Sequence, residues 1–280
     1  MVKRLVVVTG VVLSLAWAGA HLIAQQTTAP RSAPAGQTKA ATATAPDLSR
    51  MPLINVTMVQ IKPELLTEWQ DFQKNEVIPT LQKAGVKSRT GIATVIGPSF
   101  QYTFLTPVTN FAERDGDSPI VKALGQDGAR TFGQKNRRFI ESQRTFVVRA
   151  RTDLSYQPDP SAPPLPIAVV SEYTLTPGHL ADFESYIKND VTPAHKQVKT
   201  GGFLVYQGLF GGEGNTVVVA NLMRNFAELD NGPAVTRAYG AARAAAIQQK
   251  IAGFITHVER TVSRRAPELS FQPRLTSENR

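Results

Sequence analysis

One pattern occurs twice in the sequence, and this internal repeat limits the possible folds more than any other feature. Residues 61–79 begin Ile-Lys-Pro-Glu-Leu-Leu-Thr-Glu-Trp, and residues 175–193, which follow 114 positions later, begin Leu-Thr-Pro-Gly-His-Leu-Ala-Asp-Phe. The tetrapeptide Asn-Phe-Ala-Glu starts at Asn110 and again at Asn225. Because several matches keep one order and a nearly constant offset, chance does not explain them. The chain is therefore predicted to contain two copies of one folding unit.

The two copies define the domain organisation. Residues 51–158 form the first copy and residues 165–273 the second, with a proline-rich connection between them. Residues 25–50 are rich in Ala, Thr and Pro and lack apolar periodicity, so they are predicted to form a disordered linker. Apolar residues make up 42% of the chain, which is enough for a packed core in each copy.

Each copy has the predicted order strand, helix, strand, strand, helix, strand. Residues 54–61 and 167–175 are rich in β-branched side chains, as is typical of strands. Pro63 and Pro177 follow at the start of an amphipathic helix, where a missing N–H costs nothing. This order is the ferredoxin-like β-α-β-β-α-β arrangement of an α+β protein. One helix layer covers one sheet face, so we expect the two sheets to pair into one intrachain α/β barrel.

At this level the chain resembles the dimeric α/β-barrel superfamily. The resemblance rests on the opening strand, on the turn Leu175-Thr176-Pro177-Gly178-His179 and on Phe183, which are similar to the starts of NIPSNAP and antibiotic biosynthesis monooxygenase domains. It extends over both copies. In that superfamily two sheets form one barrel, usually across a dimer, so the resemblance implies that this chain builds the barrel alone. It also implies a small-molecule ligand and allows a homo-oligomer.

The N-terminus has the features of an export signal. Lys3 and Arg4 precede the apolar run Leu5–Trp17. Small residues suited to signal cleavage follow, with Ala20 and Ala24 as the two candidate positions. The run is too short to span a bilayer comfortably, although an uncleaved anchor is the alternative interpretation. Residues 1–24 are therefore predicted to be a signal peptide, cleaved at one of the two alanines. The mature protein would be periplasmic or secreted, without a stable membrane span.

Charge and composition argue against several functional classes. The net charge is +9, but the aromatic residues of the densest basic stretch, residues 135–151, are phenylalanines at spacings that suit a core. Nucleic acid is therefore not a predicted partner. The absence of cysteine excludes a thiolate zinc site and a cysteine nucleophile. The sequence also lacks a Ser-His-Asp order, a glycine-rich nucleotide loop and a complete metal-ligand set, so no metal site and no cofactor are predicted.

Polar residues on the strands are the first candidates for a site, because one sheet face of such a barrel should line a cavity. Glu172 lies in an apolar strand where the first copy has Met58, and a buried carboxylate there could act as a base. The alternatives are a surface glutamate or a partner for Arg260. A β-bulge would reverse the register, so the pattern leaves open which face lines the cavity.

The histidines supply the other catalytic candidates. His195 stands where the first copy has Leu81, so it is either part of a site or a half-buried histidine with one satisfied nitrogen. His257 opens the last strand and could face the cavity. The second copy holds three of the four histidines, so any functional polar cluster would be drawn mainly from that copy; the alternative is that these histidines are scattered over the surface. Further candidates for ligand binding are Asn221, Tyr206, Tyr102 and Arg260.

Two interpretations of the function follow, and the residues alone do not decide whether the protein is an enzyme. The first is an exported small-molecule-binding barrel of unassigned activity. The second, implied by the resemblance, is a cofactor-independent oxygenase for a phenolic or similar small apolar substrate. It would need a base such as His or Glu and an oxyanion donor such as Asn or Arg. A haem-binding variant, with His195 or His257 as axial ligand, is a third and weaker possibility.

Overall fold

The computed structural model describes residues 47–272. The predicted signal peptide, residues 1–24, lies outside the described residues, as do most of the predicted linker 25–50 and residue 273 at the end of the second copy. Within the described part of the linker, Leu48–Arg50 forms a 3-10 turn. No helix among residues 47–272 is both long and apolar enough to cross a membrane.

Eight antiparallel strands close into one barrel, four from each half of the chain. The strands are β1 (Leu53–Ile61), β2 (Thr90–Ile96), β3 (Gln101–Val108), β4 (Ile140–Ala150), β5 (Ile167–Leu175), β6 (Phe203–Phe210), β7 (Thr216–Met223) and β8 (Ile255–Arg265). In the first half the order across the sheet is β4-β1-β3-β2, and in the second half it is the equivalent β8-β5-β7-β6. The pairs β2–β8 and β4–β6 join the two sheets. The predicted fold, two ferredoxin-like units that form one intrachain α/β barrel, is confirmed.

The first helical region of each half contains a π-helical turn. Pro79 and Pro193 lie at the start of a new α-helix, and the turns Gln73–Val77 and Ile187–Val191 directly precede these helices. A proline cannot donate to the helical ladder, so the sequence predicts a kink or a restart of the helix at each of these prolines, and the structure has the restart. The helices are α1 (Leu66–Phe72), α2 (Ile78–Lys83), α3 (Pro119–Arg137), α4 (Leu180–Tyr186), α5 (Thr192–Gln197) and α6 (Ala234–Ala252).

The second helical region of each half is broken at a glycine. The sequence predicts a helical region over 119–141 and another over 233–255. Within them, Gly125 in α3 and Gly240 in α6 have φ values of 72° and 78°, outside the helical range. Glycine reaches positive φ without the steric cost that a Cβ imposes. The break occurs at the equivalent position of both halves and divides each helix into two segments.

Each half has its own core between the outer sheet face and the helices. Trp69, Phe104 and Phe139 belong to the first core, while Phe183 and Val219 belong to the second. The other sheet face points into the barrel. The interior of an eight-stranded barrel is just wide enough for side chains to fill.

The segment after the last strand of each half packs into the core of the other half. Leu154 follows β4 but belongs to the second core, and Leu269 follows β8 but belongs to the first. Tyr156 bridges to Phe203, and Phe271 bridges to Arg89. The repeated sequence Leu-Ser-Tyr/Phe-Gln-Pro is therefore the element that each half contributes to the other.

A buried ion-pair cluster strengthens this exchange on one side. The side chain of Arg151, which follows β4, is 1% exposed and lies 2.9 Å from Asp153 and 2.6 Å from Glu184 of α4. Gln207 of β6 accepts a further hydrogen bond from it. Burial alone would raise the pKa of Asp153, but the hydrogen bonds and charge of Arg151 outweigh it and hold that pKa below its usual value.

Candidate functional site

A cavity of about 820 Å³ lies between the outer sheet face of the second half and its helices. Val169, Ser171 and Tyr173, alternate residues of β5, contribute to its floor. Its other lining residues also belong to the second half. Since helices cover one sheet face, the sequence predicts a cavity on the other face, whereas this cavity lies on the face that the helices cover. The barrel face has a small pocket beside Arg144 and Glu172, because side chains can nearly fill an eight-stranded barrel.

Larger side chains occupy the equivalent region of the first half. Phe104 lies opposite Thr57 in the sheet, whereas Val219 lies opposite the equivalent Ser171. Phe104 packs against Trp69, with 6.2 Å between ring centroids. The guanidinium of Arg89 lies 3.5 Å above the Phe104 ring. Replacement of phenylalanine by valine at this sheet position removes part of that packing, so space for a ligand exists in the second half.

His195 of α5 is buried in the wall of the cavity. Its Nδ1 lies 2.7 Å from Oγ1 of Thr200, and its ring packs edge-on against Phe203. Its Nε2 has no hydrogen-bond partner among the described residues and remains available to a ligand. Burial, and to a smaller extent the charge of Arg237, lower the pKa of His195 to about 4. The imidazole is therefore neutral at pH 7.

This depressed pKa predicts a loss of stability in acid. In unfolded chains histidine titrates near pH 6.5, whereas folded His195 binds a proton only near pH 4. Between these two values the unfolded state therefore binds one more proton than the folded state, and acid favours unfolding. Stability should therefore fall by about 3 kcal/mol between pH 6.5 and 4 on account of this residue. Urea unfolding of wild type and His195→Gln across this range measures the difference. His179→Gln, at a half-exposed histidine paired with Asp182, is the control. Equal slopes for wild type and His195→Gln would contradict the assignment.

Several neutral polar groups share the cavity with His195. Ser171, Tyr173 and Tyr186 line it, and their hydroxyls have no hydrogen-bond partner among the described residues. Burial, followed by the neighbouring Tyr173, raises the pKa of Tyr186, although the charge of Arg260 opposes this rise. Tyr186 therefore stays protonated and can donate a hydrogen bond. These groups can orient a ligand without adding charge to the inner wall.

The structure separates the seven predicted site residues into two groups. His195, Asn221 and Arg260 line the cavity. The other four candidates do not. Glu172 and Tyr206 both lie opposite Val218 on the face that points into the barrel, and His257 shares that face through its pairing with Thr174. Tyr102 belongs to the first core, packs on Trp69 and accepts a hydrogen bond from Gln70.

The suggested pairing of Glu172 with Arg260 is wrong. Arg260 lies opposite Ser171, and Glu172 lies opposite Glu259, so the two side chains occupy opposite faces of the sheet. Arg260 makes no ion pair with any described residue. Glu172 instead borders a small pocket with Arg144 in the barrel. Alternation along a strand makes this separation unavoidable once the register is known.

Tyr173, Tyr186, Lys199 and Arg237 are not among the site residues predicted from the sequence. The sequence places Tyr186 on the apolar face of a helix, and that pattern gives no sign of a role for its hydroxyl. A comparison of the two halves could have revealed some of these residues, since Tyr173 replaces Val59 and Tyr186 replaces Phe72. Each replacement adds a polar atom to the second half. In the described part of the chain, no group of three or more His, Asp or Glu residues is arranged to hold a metal ion.

Comparisons with solved structures agree on the fold. An anthrone oxidase-like protein aligns with a TM-score of 0.53 and 12% identity, over 78% of this chain and 93% of that one. A candidate monooxygenase from Lactobacillus acidophilus aligns with a TM-score of 0.50 and 9% identity, over 77% of this chain and 94% of that one. Another candidate monooxygenase, from Fusobacterium nucleatum, aligns with a TM-score of 0.50 and 14% identity, over 77% of this chain and 92% of that one. No family model and no curated protein matches the sequence. The resemblance to the dimeric α/β-barrel superfamily is confirmed as a likeness of fold.

Proposed function

We propose that the protein binds a small molecule in the cavity of its second half. The observation that carries this proposal is the cavity itself, which is lined by apolar side chains together with His195, Ser171 and Tyr186. The polar groups of these three side chains that lack a partner among the described residues can exchange water for hydrogen bonds to a ligand. The cavity volume of about 820 Å³ is in the range of small-molecule sites. A pKa perturbed by burial, as in His195, is also typical of functional sites.

A cofactor-independent oxygenase is the second candidate. The free Nε2 of neutral His195 can accept a hydrogen bond from a phenolic substrate, and Asn221 and Arg260 line the same cavity and could stabilise the resulting oxyanion. However, a base whose pKa is about 4 takes a proton from a phenol of pKa about 10 only at a large cost. Binding is therefore the first proposal and catalysis the second.

Filling the cavity is expected to abolish binding of an apolar probe. Val258 lines the cavity, and Gln143 occupies the equivalent sheet position of the first half. We expect N-phenyl-1-naphthylamine to fluoresce on binding to wild type and Gln143→Trp, whereas Val258→Trp should bind it at least tenfold more weakly. Equal titrations for the two tryptophan variants, with unchanged melting temperatures, would contradict the proposed site.

Two measurements distinguish the alternative activities. Oxygen consumption with a panel of phenols and hydroquinones, lost in His195→Gln, would support the oxygenase. A Soret band in the purified protein, also lost in that variant, would assign the cavity to haem, with Nε2 of His195 as the axial ligand. His257 lies on the opposite sheet face from the cavity and does not suit that role.

Export to the periplasm or the medium is part of the proposal and rests on residues 1–24 alone. The intact mass of the mature chain, beginning after Ala20 or Ala24, tests it. The homo-oligomer allowed by the resemblance stays a prediction.

A further inference from the structure

We propose that the ligand carries an acidic group, such as a carboxylate, a sulfonate or an ionised phenol, and that basic side chains at the cavity mouth bind it. This inference rests on the proposed function, because it specifies the chemistry of a ligand in the same cavity. It is drawn from the charges of the lining residues and from their differences from the first half.

The charged residues that line the cavity are strongly unbalanced. Four are basic, namely Lys199, Arg224, Arg237 and Arg260, and one, Glu228, is acidic. Arg224 lies 3.1 Å from Glu228 and neutralises it. The other three basic side chains make no ion pair with any described residue. Several unpaired charges of one sign around one opening produce a positive potential that attracts anions.

The backbone at Lys199 gives independent support. Lys199 has a φ of 51°, and Gly85, at the equivalent turn of the first half, has a φ of 84°. The two turns are otherwise alike, since the N–H of Gly85 bonds to Gln82 and that of Lys199 bonds to the equivalent Lys196. Glycine adopts this conformation freely, whereas lysine does so at a cost. The second half therefore has a strained lysine at the cavity mouth where glycine would be easier.

Two of the arginines also differ from the first half. Arg260 replaces Thr145, which lies opposite Thr57 as Arg260 lies opposite Ser171. Arg224 replaces Thr109, the residue before the shared Asn-Phe-Ala-Glu sequence. Three of the four basic residues are thus absent from the half whose equivalent region is filled. These three positive charges are therefore particular to the second half and are not required by the shared fold.

The difference in burial between the basic side chains and the neutral polar side chains indicates how the ligand is oriented. The basic side chains are exposed, whereas Ser171, Tyr186 and His195 are buried, and His195 is neutral. An anion would lose most of its hydration at the inner wall without gaining a counter-charge. The acidic group therefore belongs at the mouth, with the apolar body of the ligand inside.

Two dyes that differ only in charge test this inference on the full-length protein. 8-Anilinonaphthalene-1-sulfonate carries a sulfonate, and N-phenyl-1-naphthylamine is the same molecule without it. Lys199→Gly combined with Arg260→Thr installs the two first-half residues. We expect this variant to bind the sulfonate at least tenfold more weakly and the neutral dye within twofold of wild type. Arg130→Thr, at an exposed first-half arginine, should change neither affinity.

The outcomes separate the two proposals. Lys199→Gly alone should raise the melting temperature while weakening sulfonate binding, a combination that a purely structural role for the lysine would not produce. If both dyes bind and the double variant weakens them equally or not at all, the acidic ligand is contradicted and the cavity site stands. If neither dye binds wild type, the proposed function fails and this inference fails with it.

Discussion

Replacement of Arg151 by methionine is expected to lower the free energy of unfolding by about 3–5 kcal/mol, because it leaves two carboxylates without their buried partner. Arg151 is 1% exposed, and Asp153 and Glu184 are only 16% and 22% exposed, so water cannot fully replace the lost interactions. The cluster also connects the segment after β4 to α4 of the other half. Urea unfolding measures the effect as a shift of the midpoint.

A control variant at an exposed ion pair and a measurement at low pH make this prediction specific. Arg130→Met removes a pair whose side chains are 71% and 92% exposed, and it should cost less than about 1 kcal/mol. Since the pKa of Asp153 is lowered, its contribution is present above pH of about 4 and is lost as the pH falls through the folded pKa. The gap between wild type and Arg151→Met should therefore narrow in acid. A constant gap would mean that the cluster acts through packing rather than charge.

Truncation of Leu269 to alanine is expected to cost about 2–5 kcal/mol, the usual range for a fully buried leucine. Leu269 is 0% exposed and lies in the core of the first half, although the chain reaches it only after the last strand of the second half. Leu269 packs in the core of the first half, although its position in the sequence assigns it to the second half. Its removal should therefore destabilise the first-half core.

The equivalent residue provides a matched comparison. Leu154→Ala should have a similar cost, because Leu154 is 3% exposed in the second core. Leu124→Ala, at a leucine that is 37% exposed, should stay within about 0.5 kcal/mol of wild type. Hydrogen exchange should show increased opening of β1 and β3 in Leu269→Ala and of β5 and β7 in Leu154→Ala. If hydrogen exchange increases only in the half whose sequence contains the substituted leucine, the packing of each terminal segment into the core of the other half is contradicted.

The repeat in the sequence predicted the barrel because it places equivalent strands at equivalent positions. Apolar alternation and the prolines located β1 and β5 almost to the residue, and Pro79 and Pro193 marked the interrupted helices. The repeated leucine motif was visible, but its partners were not, since periodicity within a segment carries no information on which half it contacts. The breaks at Gly125 and Gly240 were missed because an isolated glycine is often tolerated within a helix.

The site was only partly predictable. The difference between the copies indicated His195 in the second half, where the cavity lies, and Arg260 was selected as a polar residue on a strand. Glu172 was also noticed for such a difference, yet it lies on the other sheet face. Alternation along a strand predicts which residues share a sheet face. It does not predict which of the two faces borders a cavity, because that depends on how the helices and the barrel side chains pack. Tyr186 was hidden for a related reason, because a tyrosine in an apolar stripe contributes both packing and a hydroxyl.

A crystal structure with a brominated N-phenyl-1-naphthylamine tests most directly whether the second-half cavity is the binding site. We expect an anomalous bromine peak inside the cavity, in contact with residues such as Tyr186, Val219 and Ala244 that line it. A bromine peak inside the barrel beside Glu172 and Val218, or in the first half, would contradict it.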